Sequence, residues 1–171
     1  MKHILLIATG GTIASEQTGN GLAPRLNPKD LLRYVPDAAN ICELDTIQPF
    51  HIDSTNINPA HWLTLTGIIE ENYEKYDGFV ISHGTDTMAY TASAVTFMLP
   101  NIDLPVVFTG SQLPLADMLS DGPDNLRTAF AMAASGHPGV FLAFDRKVML
   151  GCRAVKTSAT EFSAFESINA R

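Results

Sequence analysis

The sequence predicts an α/β fold of three layers, in which a largely parallel sheet carries helices on both faces. Short apolar runs of strand length alternate with longer segments of helical periodicity along most of the chain. The strand-like runs are apolar at consecutive positions, which is typical of parallel strands buried on both faces. Polar loops containing glycine follow several of these runs, and ligands bind at such loops in open parallel sheets.

The first half of the chain contains two predicted strands and two predicted helices. Residues 4–8 form a continuous apolar run, and residues 41–47 alternate well enough for a strand. The first helix covers residues 28–35, because Asn27 is a suitable N-cap, proline occupies the first position and another proline ends the segment. The second helix begins at Asn58 and continues to residue 73, with apolar residues at helical spacing.

The centre of the chain is a strand, a loop and a helix in that order. Residues 79–81 are a short apolar run after the turn signal Asp77-Gly78, so they read as a buried strand. Residues 82–87 are almost all polar. A buried helix is predicted over residues 88–99, where the sequence is apolar nearly all round.

The last third of the chain continues the alternation. The strands predicted here are residues 105–108, 139–144 and 148–150. Gly122-Pro123 opens a helix that continues to residue 134, and residues 145–147 look like a tight hairpin turn. The tail, residues 157–171, shows no clear terminal element.

Composition limits the classes of function. The chain has 171 residues, of which 46% are hydrophobic and 17% charged, as in one globular domain. A net charge of −7 argues against nucleic acid or an anionic membrane as a partner. The two cysteines form no disulfide framework, and the N-terminus shows no signal-peptide pattern. We therefore expect a cytoplasmic protein.

Several common catalytic motifs are absent from the sequence. It contains no phosphate-binding G-x-x-x-x-G-K-[ST] or G-x-G-x-x-G motif and no G-x-S-x-G elbow. The five histidines do not fall at metal-ligand spacing, so we predict neither a metal nor a cofactor. His83 lies in the central polar loop, where we interpret it as a residue that shapes the loop.

Two loops that contain threonines carry the candidate catalytic residues. Thr85 and Asp86 follow the strand 79–81, where α/β proteins bind ligands, although either side chain could instead cap the next helix. Thr12 follows the first strand after paired glycines, which allow close backbone approach. The two loops could converge on one pocket.

A threonine hydroxyl needs a base to become a good nucleophile. No histidine is suitably placed in the sequence, but a lysine can serve where burial favours its neutral form. The candidate is Lys156 in G-C-R-A-V-K-T-S. The alternative interpretation is an ordinary surface lysine.

Four motifs resemble one enzyme family. T-G-G-T-I-A at positions 9–14 and H-G-T-D-T at 83–87 resemble the two signatures of the bacterial-type L-asparaginases. T-G-S-Q-L-P-L at 109–115 and S-D-G-P-D-N-L at 120–126 resemble the cytoplasmic type I branch of that family. The resemblance extends from the first residue to about Arg171, and it implies the flavodoxin- or Rossmann-like sheet of the family's N-terminal domain.

The resemblance implies catalytic roles at four positions. Thr12 matches the threonine generally taken as the primary nucleophile, while Thr85, Lys156 and Asp86 match a relay of hydroxyl, amine and carboxylate. The order in which the two threonines act stays open.

The resemblance also implies substrate-binding residues. Asp53 and Ser54 match the family's substrate-holding pair, and Ser111 matches its small residue beside the amide. Gly84, Thr85 and Asp86 complete the predicted set. Asp86 suits the substrate's ammonium group, while Ser54 and backbone N–H groups suit its carboxylate.

The implied reaction is hydrolysis of L-asparagine to L-aspartate and ammonia through a threonyl acyl-enzyme. The alternatives are a glutaminase, an ammonia-producing amidotransferase subunit of the same superfamily, and a non-catalytic amino-acid-binding domain. The polar loop 15–25 could be a mobile lid or an ordinary surface loop. It lacks the tyrosine that the family often carries there, and the nearest tyrosine is Tyr34.

Family members are longer, so the resemblance also concerns domain organisation. It implies that residues 1–171 correspond to the N-terminal catalytic domain and that the smaller C-terminal domain is absent from this chain. Full-length members are expected to be homodimers or homotetramers, with each active site shared between subunits. We therefore expect impaired turnover by this chain alone, and an exposed apolar surface beside the site.

Overall fold

The structure is a computed structural model that describes residues 1–18, 21–24 and 26–169. Its strands are β1 (Lys2–Ala8), β2 (Ser15–Thr18), β3 (Gly21–Pro24), β4 (Cys42–Ile47), β5 (Gly78–Ser82), β6 (Pro105–Thr109), β7 (Gly139–Phe144), β8 (Lys147–Leu150), β9 (Ala154–Lys156) and β10 (Phe165–Ser167). Its α-helices are α1 (Pro28–Arg33), α2 (Pro59–Asn72), α3 (Thr85–Met98) and α4 (Gly122–Ala134). Short 3-10 turns cover Thr12–Ala14, Pro36–Asn40 and Ser54–Asn56.

Six strands form the central sheet in the order β4-β1-β5-β6-β7-β8. All neighbours in it are parallel except β7 and β8, which form an antiparallel hairpin at one edge. The chain leaves β1 toward β4 on one side and then returns to β5 on the other. This reversal makes the carboxyl ends of β1 and β5 a topological switch point, where open α/β sheets bind ligands.

Helices cover both faces of the sheet, because alternate residues of each strand point to opposite sides. In β1, Leu5 and Ile7 pack in one core with α2 and α3, whereas Ile4 and Leu6 pack in another with α1 and α4. Burying one such side chain is worth roughly 1.5–3 kcal/mol. The two cores therefore fix the strands, and with them the edge from which the site loops emerge. The predicted fold class is confirmed.

The starts of α1 and α2 agree with the sequence. Asn27 accepts a hydrogen bond from the N–H of Asp30, whose side chain accepts in return from the N–H of Asn27, completing a capping box for α1. Asn58 caps α2 in the same way, with His61 as its partner. The first helix is shorter than predicted, however. It ends at Arg33, because the chain tightens into the 3-10 turn Pro36–Asn40.

Helix α3 begins three residues earlier than its apolar pattern indicated. Gly84 occupies the N-cap position, so Thr85 and Asp86 already lie in the first helical turn. Neither side chain caps the helix, and the capping alternative is therefore wrong. A carboxylate at this position is favoured by the positive end of the helix dipole.

The sequence predicted two segments to be irregular, but both contain paired strands. Within the 15–25 loop, β2 and β3 pair antiparallel, while residues 19, 20 and 25 lie outside the described residues. In the C-terminal tail, β10 pairs antiparallel with β9, and residues 170 and 171 lie outside the described residues. Local periodicity is weak in strands of three or four residues, so partners elsewhere in the chain decide them. None of the described helices is long and apolar enough to cross a bilayer.

Candidate active site

The loops after β1 and β5 touch each other through their glycines. Gly11 has φ 79°, and a Cβ atom placed on it would overlap Cα of Gly84 and lie 2.5 Å from the nitrogen of Gly84. The backbone N–H of Thr9 also donates to the carbonyl of Ser82 over 3.1 Å. Since Thr12 and Thr85 each follow one of the touching glycines, this backbone contact brings the two threonines to one cavity.

Lys156 joins the second loop from 70 positions away. Its Nζ donates to Thr85 Oγ1 over 2.8 Å and to Asp86 Oδ1 over 2.7 Å. The Lys156 side chain is 17% exposed and that of Asp86 is 60% exposed. The relay that the resemblance implies requires Lys156 to lie beside Thr85 and Asp86, and the structure places it there, so the surface-lysine interpretation is wrong. Their chemical roles stay a prediction.

The small sheet of β9 and β10 positions Lys156. Phe165 pairs with Lys156 across the ladder and is buried against Phe144, with the two ring centroids 4.9 Å apart. The N–H of Thr157 donates to the carbonyl of Ala164 over 2.8 Å. The apolar anchor at Phe165 therefore holds the lysine strand against the core and aims the amine at α3.

The segment after β4 runs beside the first glycine loop and brings Asp53 and Ser54 to the site. Gly10 forms a parallel bridge with Ile52, and the N–H of Gly11 donates to the Ile52 carbonyl over 3.1 Å. Ser54 is buried, and a Cβ on Gly84 would lie 2.7 Å from its Oγ. Because Gly84 has no side chain, the segment that contains Ser54 can pack closely against the start of α3.

These segments surround a cavity of about 150 Å³. Ten residues line it: Gly11, Thr12, Asp53, Ser54, Gly84, Thr85, Asp86, Gln112, Lys156 and Ala159. The cavity thus combines two hydroxyls of loop threonines, two carboxylates and one amine. Such a set can activate a hydroxyl and hold a small zwitterion.

Asp53 and Asp86 are the two carboxylates of the cavity. The carboxylate of Asp53 accepts from the N–H and the hydroxyl of Thr55, each over 2.8 Å, so it also caps the short turn that contains Ser54. The Oδ1 atom of Asp86 accepts a hydrogen bond from Lys156 Nζ. Both side chains lie where a substrate ammonium group could meet them.

His83 lies beneath the site rather than in it. The side chain is completely buried, and its Nδ1–H donates to the Gly84 carbonyl over 2.7 Å. Burial lowers the pKa of His83 to about 4, against the opposing effect of the bond to Gly84, so the ring is neutral near pH 7. Its Nε2 has no hydrogen-bond partner among the described residues. This geometry agrees with the interpretation that His83 shapes the loop.

Ser111 and Gln112 differ from what the sequence indicated. Ser111 is buried, does not line the cavity and donates its hydroxyl to the Leu113 carbonyl. Gln112, one residue later, lines the cavity instead and accepts from Thr85 Oγ1 over 3.3 Å. The sequence does show that Gln112 is a second polar residue in the same loop as Ser111. Only the conformation of the loop, however, determines which of these two side chains faces the cavity.

Larger clefts occur elsewhere on the described surface. One of about 370 Å³ lies between the C-terminal ends of α2 and α3 and is lined mainly by apolar side chains together with Glu70 and Glu74. It contains no threonine, serine or lysine. Among the described residues, no three metal-ligating side chains converge on one point. Threonine hydroxyls, carboxylates and an amine occur together at the smaller cavity, which is therefore the candidate active site.

Comparison with known proteins gives a consistent result. The family model described as "Asparaginase, N-terminal" matches residues 3–171. The L-asparaginase of Thermococcus kodakarensis is 45% identical over 170 residues, which cover 97% of this chain and 51% of that protein. L-asparaginase 1 of Escherichia coli strain K12 is 40% identical, with coverage of 98% and 51%.

The fold agrees with solved structures as well. The probable cytoplasmic L-asparaginase from Campylobacter jejuni superposes with a TM-score of 0.89 at 32% identity, covering 98% of this chain and 52% of that one. The present chain thus spans about half the length of the curated relatives that it matches.

Proposed function

The chain belongs to the asparaginase family, whose N-terminal domain it matches over residues 3–171, and we propose that it supplies the catalytic groups for hydrolysis of L-asparagine to L-aspartate and ammonia. The observation that carries the proposal is the contact of Lys156 Nζ with both Thr85 Oγ1 and Asp86 Oδ1 beside Thr12. A hydroxyl in contact with an amine, and a second hydroxyl in the same cavity, are the groups that acyl transfer requires.

In the proposed reaction, the Thr12 hydroxyl attacks the carboxamide carbon and forms a tetrahedral intermediate. The proton taken from the Thr12 hydroxyl is delivered to the amide nitrogen, the C–N bond breaks, ammonia leaves, and an aspartyl ester of Thr12 remains. Water attacks this ester, releases L-aspartate and restores the hydroxyl. Thr85 and Lys156 transfer the protons, because they are in direct contact, while Asp86 holds the amine in position through its hydrogen bond to Nζ.

Substrate binding uses the rest of the cavity. The carboxylates of Asp53 and Asp86 suit the ammonium group of asparagine. Ser54 and the N–H groups at the start of α3 suit its carboxylate, since a helix N-terminus attracts anions. Gly84 contributes by leaving room for Ser54. Ser111, which matches the family's small residue beside the amide, supports its loop through its hydrogen bond to the Leu113 carbonyl. We take asparagine rather than the longer glutamine as the substrate, because the relatives that this chain matches are named L-asparaginases.

We further propose that the working enzyme is cytoplasmic and oligomeric, with the N-terminal domain of one subunit completed by additional protein. The free cysteines Cys42 and Cys152 are consistent with a reducing compartment. Met118, Leu119 and Phe162 are exposed apolar side chains, and the last two line a groove near Asn125. Such exposed apolar groups are suited to an interface.

Ammonia release from L-asparagine and L-glutamine, measured side by side on the purified chain, tests the proposal. We expect release from asparagine and slower release from glutamine. A preference for glutamine would instead indicate a glutaminase or an amidotransferase subunit. Binding of L-aspartate without ammonia release from either amide would indicate an amino-acid-binding domain, and the hydrolytic proposal would be wrong.

A further inference from the structure

Gln112 makes one contact on each side of the cavity. Its Oε1 accepts from Thr85 Oγ1 over 3.3 Å, and its Nε2 donates to the Glu161 carbonyl over 3.0 Å. A carbonyl oxygen can only accept, so the Nε2 atom must face Glu161 and the Oε1 atom must face Thr85. The amide group therefore has one permitted orientation, with its acceptor aimed at the candidate relay.

The backbone beneath Gln112 is held firmly. Both carboxylate oxygens of Asp121 accept from the Gln112 N–H over 3.0 Å, and one also accepts from the Leu113 N–H over 3.1 Å. Asn125 Nδ2 holds the same carboxylate over 3.0 Å. Since the start of the side chain is fixed by a charged acceptor, ordering the amide costs less entropy than it would on a free loop.

The hydrogen bonds of the Thr85 hydroxyl show that the Gln112 side-chain amide accepts the hydroxyl proton. A hydroxyl has one proton to donate and two lone pairs. Lys156 Nζ donates to the oxygen over 2.8 Å, so the hydroxyl proton is directed to Gln112. The 3.3 Å distance is longer than the usual 2.7–2.8 Å of an O–H···O bond, so this bond is weak and is readily exchanged when the proton moves.

The second contact joins two segments that meet only in the tertiary structure. Gln112 follows β6, whereas Glu161 belongs to the connection between β9 and β10, which begins just after Lys156. Ala159 of that connection lines the cavity. One side chain thus contacts the hydroxyl and also holds the segment that follows the amine.

We propose that Gln112 is a positioning residue for the asparagine-hydrolysing site, which orients the Thr85 hydroxyl and holds the 157–164 segment closed beside Lys156. This inference rests on the proposed function. It predicts an effect on turnover rather than on substrate affinity, because both contacts of Gln112 are made to the protein itself.

The test compares Gln112→Met and Gln112→Glu with the unmodified 171-residue chain. Methionine keeps the length of the side chain and removes both hydrogen bonds. We expect kcat to fall roughly threefold to tenfold, as for the loss of one or two neutral hydrogen bonds, with KM changing less. The matched control is Gln48→Met, which lies just after β4 and outside the residues that line the cavity.

Gln112→Glu adds a readout that a purely structural role would not give. At pH 7 its carboxylate still accepts from Thr85 but cannot donate to Glu161. Protonation restores a donor, so the activity of this variant relative to the unmodified chain should rise as the pH is lowered toward 4–5. A constant ratio across this range would contradict the proposal.

Threonine methyl NMR and amide hydrogen exchange test the same inference without turnover. Gln112→Met should shift the Thr85 methyl resonance and accelerate exchange at residues 157–164, whereas Gln48→Met should do neither. Unchanged spectra and exchange in Gln112→Met would overturn the inference, even if the chain releases no ammonia. Changed spectra in a chain without activity would instead retain the inference about positioning and reject the proposed function.

Discussion

Lys156 donates a hydrogen bond to Thr85 Oγ1 over 2.8 Å, although 71 positions separate the two residues in the chain. The contact depends on two separate parts of the fold. The backbone contact of Gly11 with Gly84 sets the loop of Thr85, and the pairing of β9 with β10 sets the strand of Lys156. The predictions below test each of these parts.

Replacing either candidate threonine by valine should lower kcat by several orders of magnitude, because the shape is kept and a reacting hydroxyl is lost. The matched control is Thr96→Val, since Thr96 lies on α3 and its hydroxyl bonds only within the helix in the described contacts. Steady-state ammonia release is the measurement. Near-normal turnover in Thr12→Val or Thr85→Val would remove that residue from the mechanism.

The order in which the threonines act can be measured directly. We expect an aspartyl ester on the peptide that contains Thr12 when the reaction is quenched rapidly and analysed by mass spectrometry. The physical reason is that Thr85 is already hydrogen-bonded to Lys156 and so is suited to proton transfer. An ester on the peptide of Thr85 would reverse the two roles.

Lys156→Met should abolish turnover with little loss of stability. The partner carboxylate, Asp86, is 60% exposed and remains hydrated without the amine, so we expect a change of at most about 1 kcal/mol in the free energy of unfolding. Lys75→Met is the control, because Lys75 donates to Asn72 on the exposed surface and does not line the cavity. Retained activity in Lys156→Met would contradict the relay.

Two glycine substitutions should have opposite effects on stability. Gly11→Ala places a Cβ against the backbone of Gly84 at a positive φ, so it should cost at least about 2 kcal/mol and separate the two threonines. Gly67→Ala lies within α2, where a Cβ meets nothing within 4 Å, so it should stabilise the protein by about 0.5–1 kcal/mol. Urea unfolding measures both, and a stabilising Gly11→Ala would reject the close contact.

His83 should make the protein less stable in mild acid. Its folded-state pKa is about 4 and its ordinary value 6.5, so between these pH values the unfolded chain binds more protons than the folded one. The contribution of His83 to the free energy of unfolding is thus fully present above pH 6.5 and is lost progressively as the pH falls toward 4. The total is on the order of 3 kcal/mol.

The measurement is urea unfolding at pH 7 and pH 4.5. His83→Gln keeps a donor for the Gly84 carbonyl, and it should show a smaller loss of stability between these two pH values than the unmodified chain does. His137→Gln serves as the control, because His137 is exposed. Equal losses in the unmodified chain and in His83→Gln would contradict the assignment.

The exposure of Asp86 leads to a prediction about turnover. A site with one carboxylate 60% exposed retains water and positions its substrate loosely, and a dry, closed site supplies much of catalysis. We therefore expect kcat/KM for asparagine to be much lower for the 171-residue chain than for the L-asparaginase of Thermococcus kodakarensis under the same conditions. Comparable values would show that residues 1–171 are sufficient for catalysis.

The sequence alone determined the features that depend on neighbouring residues. Continuous apolar runs predicted the central strands, Asn27 and Asn58 marked two helix starts, and the glycines beside Thr12 and Thr85 marked the loops of the candidate site. These signals are local, because burial of whole strands, helix capping and tight turns leave their pattern within a few residues.

Only the tertiary structure decided how distant segments meet. The short strand of Lys156 exists because β10 pairs with it and Phe165 is buried against Phe144. Gln112, rather than Ser111, faces the cavity because Asp121 fixes the loop backbone. Strands of three residues and loop orientations have little local preference, so contacts with distant residues determine them.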